Sequence, residues 1–484
     1  MGALAVVALI GRVVVIFALL KAVPLAFALH GKDPAEGAFL SAAALTAVCG
    51  LAMSLATRRF RRELQPRDGF LLVALVWLLL PAFGALPLWL AIPGLSATDA
   101  YFEAMSALTA TGATVLSGLD QLPLSLNVWR AFMQFVGGLG IIVLAVAILP
   151  LLGVGGSQLF RAETHGPLKD QKLTPRIAET ARALWVVYFI LALACLLAYR
   201  AAGMGWADAF IHMCSTISLG GFSNYDASLG HFDSPLIEAV AIVFMMLAGV
   251  HLVLYFLVWR GRSPAVLWRS PEVRAFYAVI AGAIALVTAH LLLTGTYGSP
   301  AEALRHAAFH VVSLATTTGY SSEDYGLWPL FSPMLLLLLG CFATCAGSTG
   351  GGIKMVRMLL LVKQARRELV RIVHPNVVNP VVLGERAISD RVIQGVIAYM
   401  MIYGATLTAL TMAMLATGLD AVTAFTAVVA TLNNIGPGLG MVGPAANYGT
   451  LSDVQTWIGS FAMLLGRLEL LAVLVLLTPQ FWRK

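Results

Sequence analysis

Long apolar runs separated by short polar stretches set the layout of the chain. Runs near the ~20 residues needed to cross a bilayer cover roughly residues 2–29, 38–57, 70–92, 127–150, 181–201, 235–259, 275–295, 333–361, 392–417 and 455–478. These ten are expected to be transmembrane helices. Four shorter apolar segments, near 98–110, 206–217, 301–317 and 420–433, fall well below spanning length, and each lies between two long runs. Such segments suit re-entrant helices that enter the membrane and turn back. No stretch is left for a separate soluble domain of typical size, so the fold class is an all-α polytopic membrane protein.

The four short segments read as copies of one unit: "SATDAYFEAMSALTATG", "GWADAFIHMCSTISLG", "PAEALRHAAFHVVSLATTTG" and "TGLDAVTAFTAVVATLNNIG". Each opens on an acid, Asp99, Asp208, Glu302 or Asp420, where a carboxylate complements the helix dipole. Each ends in a turn, "TATGAT", "ISLGGF", "TTTGYS" or "NNIGPG", and the letters align Gly112, Gly220, Gly319 and Gly436. Irregular backbone at membrane depth is tolerated only where it is buried in protein or lines a wet cavity. Four such turns with converging carbonyl oxygens can replace the hydration shell of a cation. The expected organisation is two leading helices (1–62) followed by four helix–short helix–helix units, at 63–160, 161–262, 263–372 and 373–484, around a pseudo-fourfold pore.

Charge orients this arrangement. Of the 31 Lys and Arg residues, 24 fall in 58–68, 161–182, 260–274, 354–391 and at the C-terminus, all on one side of a ten-span chain. The positive-inside rule makes that side the cytoplasm, with both termini there. Acids, Glu103 and Asp226 among them, fall on the opposite side, where their field would draw cations. With 59% hydrophobic and 11% charged residues, the net charge of +7 follows from topology, and no aromatic–basic pattern points to nucleic acid. The five cysteines show neither disulfide nor zinc spacing and read as packing residues. The first apolar run exceeds a signal-peptide core and reads as a retained span.

The eighth run is interrupted by "CFATCAGSTGGGIKMV" (341–356). Four glycines within 347–352 should break the helix, since each interior Gly costs about 0.5–1 kcal/mol relative to Ala. An irregular loop inside the membrane, beneath the third turn, is expected; a static kink is the alternative. Arg467 lies near the centre of the last run, at a depth where an Arg costs at least ~2.5 kcal/mol, so it should face the bundle interior. Glu469, two residues on, is not on the same helix face.

With these residues in hand, the chain closely resembles the Trk/Ktr/HKT superfamily of potassium transporters, in its TrkH/TrkG branch, over nearly its whole length. "AGSTGGGIK" (346–354), "NNIGPGLG" (433–440) and "MLLGRLELL" (463–471) carry the likeness, together with the two leading helices. The resemblance implies one chain imitating a tetrameric potassium channel as four M1–P–M2 units, assembled as a homodimer in the bacterial inner membrane. It further implies inward movement of K⁺ under control of a cytosolic TrkA-type ring that binds nucleotides, with K⁺ as transported ion and no organic cofactor in this chain. The K⁺ filter then falls at Thr111 and Gly112, Leu219 and Gly220, Thr318 and Gly319, and Ile435 and Gly436. None of the turns is a full TVGYG, and the second and fourth lack a Thr before Gly, which implies a shorter ion column that passes Rb⁺ and, less readily, Na⁺. The family assigns the loop of Gly347, Ser348, Thr349, Gly350, Gly351 and Gly352 to gating, and Arg467 is expected to set the closed-state barrier with it.

Two other functions compete. A Na⁺- or H⁺-coupled symporter of the same fold stays open, although a rocking carrier is expected to show inverted repeats and acids within the membrane. An intramembrane enzyme needs a nucleophile or acid–base set, and none emerges, because Arg467 stands nearly alone as a deep ionisable group. "GSTGGGIKM" (347–355) departs from the phosphate-binding G-x-x-x-x-G-K-[ST], and the G-x-G-x-x-G at 438–443 follows no strand. His306 and His310, spaced i, i+4 without an intervening Glu, should pack around the third short helix and not bind metal; Cys341 and Cys345 are read the same way. The basic segment 363–391 fits attraction to anionic lipid or contact with the cytosolic ring.

Overall fold

A computed structural model of the chain describes residues 2–59, 65–143, 173–261 and 263–483. The basic stretches at 60–64 and 161–172, and the unit boundaries expected at 62, 160 and 262, lie outside the described residues. The protein is predominantly helical. Six helices are long and apolar enough to cross a membrane, and two bent helix pairs bring the number to as many as eight among the described residues. Large apolar side chains such as Leu19, Val48, Ile190 and Leu193 are exposed, the placement that a lipid solvent favours.

The leading pair begins with α1 (Gly2–Leu20) and α2 (Ala22–Gly31), which continue into α3 (Glu36–Ala56). The break at Lys21 follows from Pro24 one turn later, which has no N–H to donate backward and crowds the carbonyl four residues before it. The Lys21 ammonium is fully buried; it donates to Thr46 Oγ1 at 2.8 Å and sits over the rings of Phe17 and Trp129.

Four short helices follow at the expected places: α5 (Ala97–Leu108), α8 (Trp206–Ser218), α13 (Pro300–Ala315) and α17 (Ala421–Leu432). Each is preceded by a long outer helix, respectively α4 (Pro66–Ala91), α7 (Leu173–Ala201), α12 (Pro271–Leu293), which follows the short α11 (Ala265–Arg269), and α16 (Asp390–Ala416). Each is followed by an inner helix: α6 (Leu124–Val143), the bent pair α9 (Pro235–Ala248) and α10 (Leu252–Gly261), the broken pair α14 (Phe331–Phe342) and α15 (Met355–Val373), and α18 (Asp453–Arg467) with α19 (Leu471–Leu474). Asp420 caps α17 by accepting the Thr423 N–H, while Ser96 caps α5 and leaves Asp99 in the first turn.

Packing closes these units into a ring. Each short helix contacts its own outer and inner helices and also the inner helix of the preceding unit: α8 lies on α6, α13 on α9, α17 on α14, and α5 returns to α18. Two expected continuous spans are corrected here. The run 235–259 bends by 85° between α9 and α10, and the run 455–478 bends by 106° after Arg467. At both breaks the chain turns to serve polar partners described below, which apolar composition alone does not reveal.

Candidate ion pathway and gate

All four short helices end in the same backbone device. The residues Ala110, Leu219, Thr317 and Asn434 take left-handed φ of 50°, 56°, 62° and 54°. Each donates its N–H three residues back, to Ala107, Thr216, Leu314 and Thr431. The next residue, Thr111, Gly220, Thr318 or Ile435, donates five residues back, to Ser106, Ser215, Ser313 or Ala430, at 2.8–2.9 Å. This pair of bonds satisfies the last helical carbonyls and turns the chain sharply away from the helix axis.

The residue after that is Gly112, Gly221, Gly319 or Gly436, with φ of 84°, 74°, 82° and 101°. The second corner therefore corrects the alignment read from letters: Gly221, not Gly220, is the counterpart of the other three glycines, and Gly220 is the counterpart of Thr111 and Thr318. Two adjacent glycines leave the letters ambiguous; the sign of φ decides. Leu219 forms the left-handed cap itself.

These corners meet one another in cyclic order. A Cβ built on Gly112 would lie 2.2 Å from the Gly220 carbonyl oxygen, one on Gly221 1.9 Å from that of Thr318, one on Gly319 2.0 Å from that of Ile435, and one on Gly436 2.8 Å from that of Thr111. Each unit's glycine thus faces the next unit's carbonyl, and the fourth returns to the first. The left-handed turn needs glycine, and so does the approach of the neighbouring backbone. The Thr111 and Thr318 hydroxyls are turned to Thr109 and Thr316 at 2.7 and 2.8 Å, which leaves backbone oxygens as the groups shared by all four corners. Segments leaving the corners line an open cavity whose wall includes Gly112, Gly221, Gly319 and Pro437.

On the other side of the ring lies the interrupted helix. Between Phe342 and Met355 the chain is irregular, as four clustered glycines predict. The Thr349 hydroxyl donates to the Ile217 carbonyl at 3.0 Å, and the Gly351 N–H donates to Thr317 Oγ1 at 2.9 Å. A Cβ on Gly351 would meet the Asn433 carbonyl at 2.1 Å. The loop is therefore seated against the ends of the second, third and fourth short helices at once. Arg467 reaches it from α18, donating from Nη1 to the Thr349 carbonyl at 2.8 Å and from Nη2 to that of Gly137 at 3.4 Å. Among the described residues no carboxylate pairs with Arg467. Lys354 closes the loop by donating to the Gly350 carbonyl. The bend between α9 and α10 holds the other edge: Gly249 accepts from the Cys345 N–H, and Gly347 accepts from that of Leu252.

The family model described as "TrkH: Cation transport protein" matches residues 36–484. The chain is 46% identical over 481 residues to the Trk system potassium uptake protein TrkH of Salmonella typhimurium, covering 99% of both chains. It is 36% identical over 474 residues to the Trk system potassium uptake protein TrkG of Escherichia coli, covering 98% of this chain and 97% of that one. The crystal structure of the potassium transporter TrkH from Vibrio parahaemolyticus superposes with a TM-score of 0.92 at 42% identity over the whole of both chains. The chain belongs to the TrkH family of cation transport proteins. Membership sets aside the intramembrane-enzyme alternative and makes the chain a multi-pass membrane protein.

This TrkH-family interior holds more charge than the sequence suggested. Glu103, expected among the surface acids, is fully buried and pairs with Arg130 at 2.7 Å. It also accepts from the Thr114 hydroxyl and the Val115 N–H, while Arg130 donates to Asn127 and the Ser223 carbonyl and covers the Phe222 ring. This pair braces the chain leaving the first two corners. Removing one partner of a buried pair costs about 3–5 kcal/mol. Glu103→Ala is accordingly expected to lower the thermal unfolding midpoint of the detergent-purified protein well below that of wild type. Arg357, equally unforeseen, pairs with Glu469 at 2.7 Å and lies over Tyr399. Glu469 takes a left-handed φ of 54° at the bend after Arg467, so the two charges of that bend serve different partners. The coincidence of an acid and a Gly-rich break on two inner helices is the signal that could have exposed this tie.

His306, His310 and Glu323 cluster within 4.8 Å. Both ring nitrogens of His310 are engaged, Nδ1 with the His306 carbonyl and Nε2 with the Ser322 N–H, and His306 stacks on Tyr297. These bonds tie the cluster to α13 and to the chain that leaves the third corner. Cys341 and Cys345 are free thiols.

Proposed function

We propose that this chain is the pore-forming subunit of a K⁺ uptake system. The reading rests on one observation above all: the four corners close into a ring of backbone carbonyls in cyclic register. Dehydrated K⁺ passes along these oxygens, supplied by Thr111 and Gly112, by Gly220 and Gly221 with Leu219 as cap, by Thr318 and Gly319, and by Ile435 and Gly436. Carbonyl dipoles replace the ion's hydration shell, and Rb⁺ is accepted on the same terms. The names of the relatives, potassium uptake proteins, support K⁺ as the ion.

The gate is the loop 347–352 with Arg467. In the arrangement described, a guanidinium and a loop stand directly beneath the ring, and both oppose a cation leaving it. Opening withdraws the loop toward α15. A cytosolic nucleotide-binding ring of the TrkA type would exert that pull through the segment 363–391, which carries the basic residues Arg366, Arg367 and Arg371. The membrane is the bacterial inner membrane, with both termini cytoplasmic and the chain paired as a homodimer. Expression in bacteria lacking their own K⁺ uptake is expected to restore growth at limiting K⁺, and failure of a correctly inserted protein to do so would count against the assignment.

A further inference from the structure

We infer that Thr317 is a positioning residue that couples the gate to the filter, an inference that rests on the gate reading above. Among the described residues it is the only β-branched one with a left-handed φ. A branched Cβ makes that conformation a genuine outlier, and such strain persists only where the surroundings over-determine it. The other three caps are Ala110, Leu219 and Asn434, none of them branched at Cβ.

Beyond the two backbone bonds that all four caps share, what holds Thr317 is the loop. Its hydroxyl accepts the Gly351 N–H at 2.9 Å, and a Cβ on Gly350 would lie 3.1 Å from the same oxygen. The bond therefore joins the moving segment to the residue immediately before Thr318, whose carbonyl faces Gly221 in the ring. Withdrawal of the loop removes the side-chain contact that helps offset the strain and leaves the Thr317–Thr318 peptide held by its two backbone bonds alone. Gate opening and filter geometry are in this way one equilibrium viewed from two ends.

Three substitutions separate the parts. Thr317→Ala removes the hydroxyl and the branch together, and alanine already occupies the equivalent Ala110, so the fold is expected to survive. Thr317→Val removes the hydroxyl and keeps the branch. Thr317→Ser keeps the hydroxyl. Radiolabelled Rb⁺ uptake is measured in liposomes without a cytosolic partner, with Na⁺ as competitor and Arg467→Ala in parallel. Thr317→Ala is expected to raise basal flux about fivefold, the shift that losing one neutral hydrogen bond produces, with ion discrimination kept. Thr317→Val should raise flux and also admit Na⁺ more readily, and Thr317→Ser should restore wild-type behaviour on both readouts. Flux in Thr317→Ala and Thr317→Val equal to wild type, beside a raised flux in Arg467→Ala, would overturn the coupling and leave the gate standing. No change in any of the variants, Arg467→Ala included, would overturn both.

Discussion

Replacing Gly319 with Ser is expected to lower K⁺ uptake at least about 100-fold, since backbone strain of about 1–2 kcal/mol adds to the loss of an ion–carbonyl contact worth about 1.5–3 kcal/mol. Two separate causes act. The left-handed φ of 82° costs any L-residue about 1–2 kcal/mol. The added Cβ would also lie 2.0 Å from the Ile435 carbonyl oxygen and 2.8 Å from Pro437 Cδ, so the ring oxygen of the neighbouring unit must move. Neither contact can be relieved by rotating a side chain. The same logic separates the two glycines of the second corner. Gly221→Ala meets the Thr318 carbonyl at 1.9 Å with a left-handed φ of 74°, whereas Gly220→Ala meets the side chain of Gln134 at 2.5 Å. Gln134 donates to the Gly220 carbonyl at 2.7 Å, so Gly220→Ala is expected to be impaired, and Gly221→Ala to be the more severe. Uptake assays on protein shown to be monodisperse after extraction check the order, and the reverse order would restore the alignment read from letters.

Arg467→Ala is expected to raise basal flux, in the absence of a cytosolic partner, about tenfold or more. The guanidinium holds the Thr349 carbonyl at 2.8 Å, and a charged hydrogen bond of this kind is worth about 1.5–3 kcal/mol. On the proposed gate, removing it shifts the loop toward withdrawal and also removes a positive charge from the ion path. A purely structural Arg, tied to carbonyls as Arg467 is tied to Gly137, would instead lower the amount of folded protein without raising flux per molecule. Flux normalised to inserted protein separates the two, and Arg467→Lys, which keeps charge but loses the planar fork, should fall between wild type and Ala.

Much of this architecture is legible in the sequence because the bilayer enforces length and backbone satisfaction so strictly. The short helices at 97–108, 206–218, 300–315 and 421–432 announce themselves as apolar runs too short to cross, each opened by an acid and closed by glycine. The loop at 347–352 is visible because four glycines in six residues defeat a helix. What composition hides is whatever depends on a torsion sign or a distant partner. Gly220 and Gly221 are identical letters, and only φ tells them apart. The bends after Ala248 and Arg467 lie in runs that are apolar on average, and they form where Gly249, Arg467 and Glu469 answer to groups far along the chain. Glu103 looks like an exposed acid until Arg130, 27 residues later, is found beside it.

The strain at Thr317 belongs to this second kind. A threonine in "TTTG" passes for an ordinary filter hydroxyl; its cost appears once the backbone is known, and its partner once the loop is seated.

The most direct measurement is Rb⁺ uptake into liposomes holding the purified wild-type chain or Gly319→Ser, with K⁺ and Na⁺ as competitors, with and without an added cytosolic nucleotide-binding ring. A ring of four backbone oxygens predicts saturable uptake that K⁺ displaces readily and Na⁺ only at much higher concentration, and that the substitution abolishes. Folded wild-type protein that carries no Rb⁺ under either condition, or uptake untouched by the serine, would contradict it.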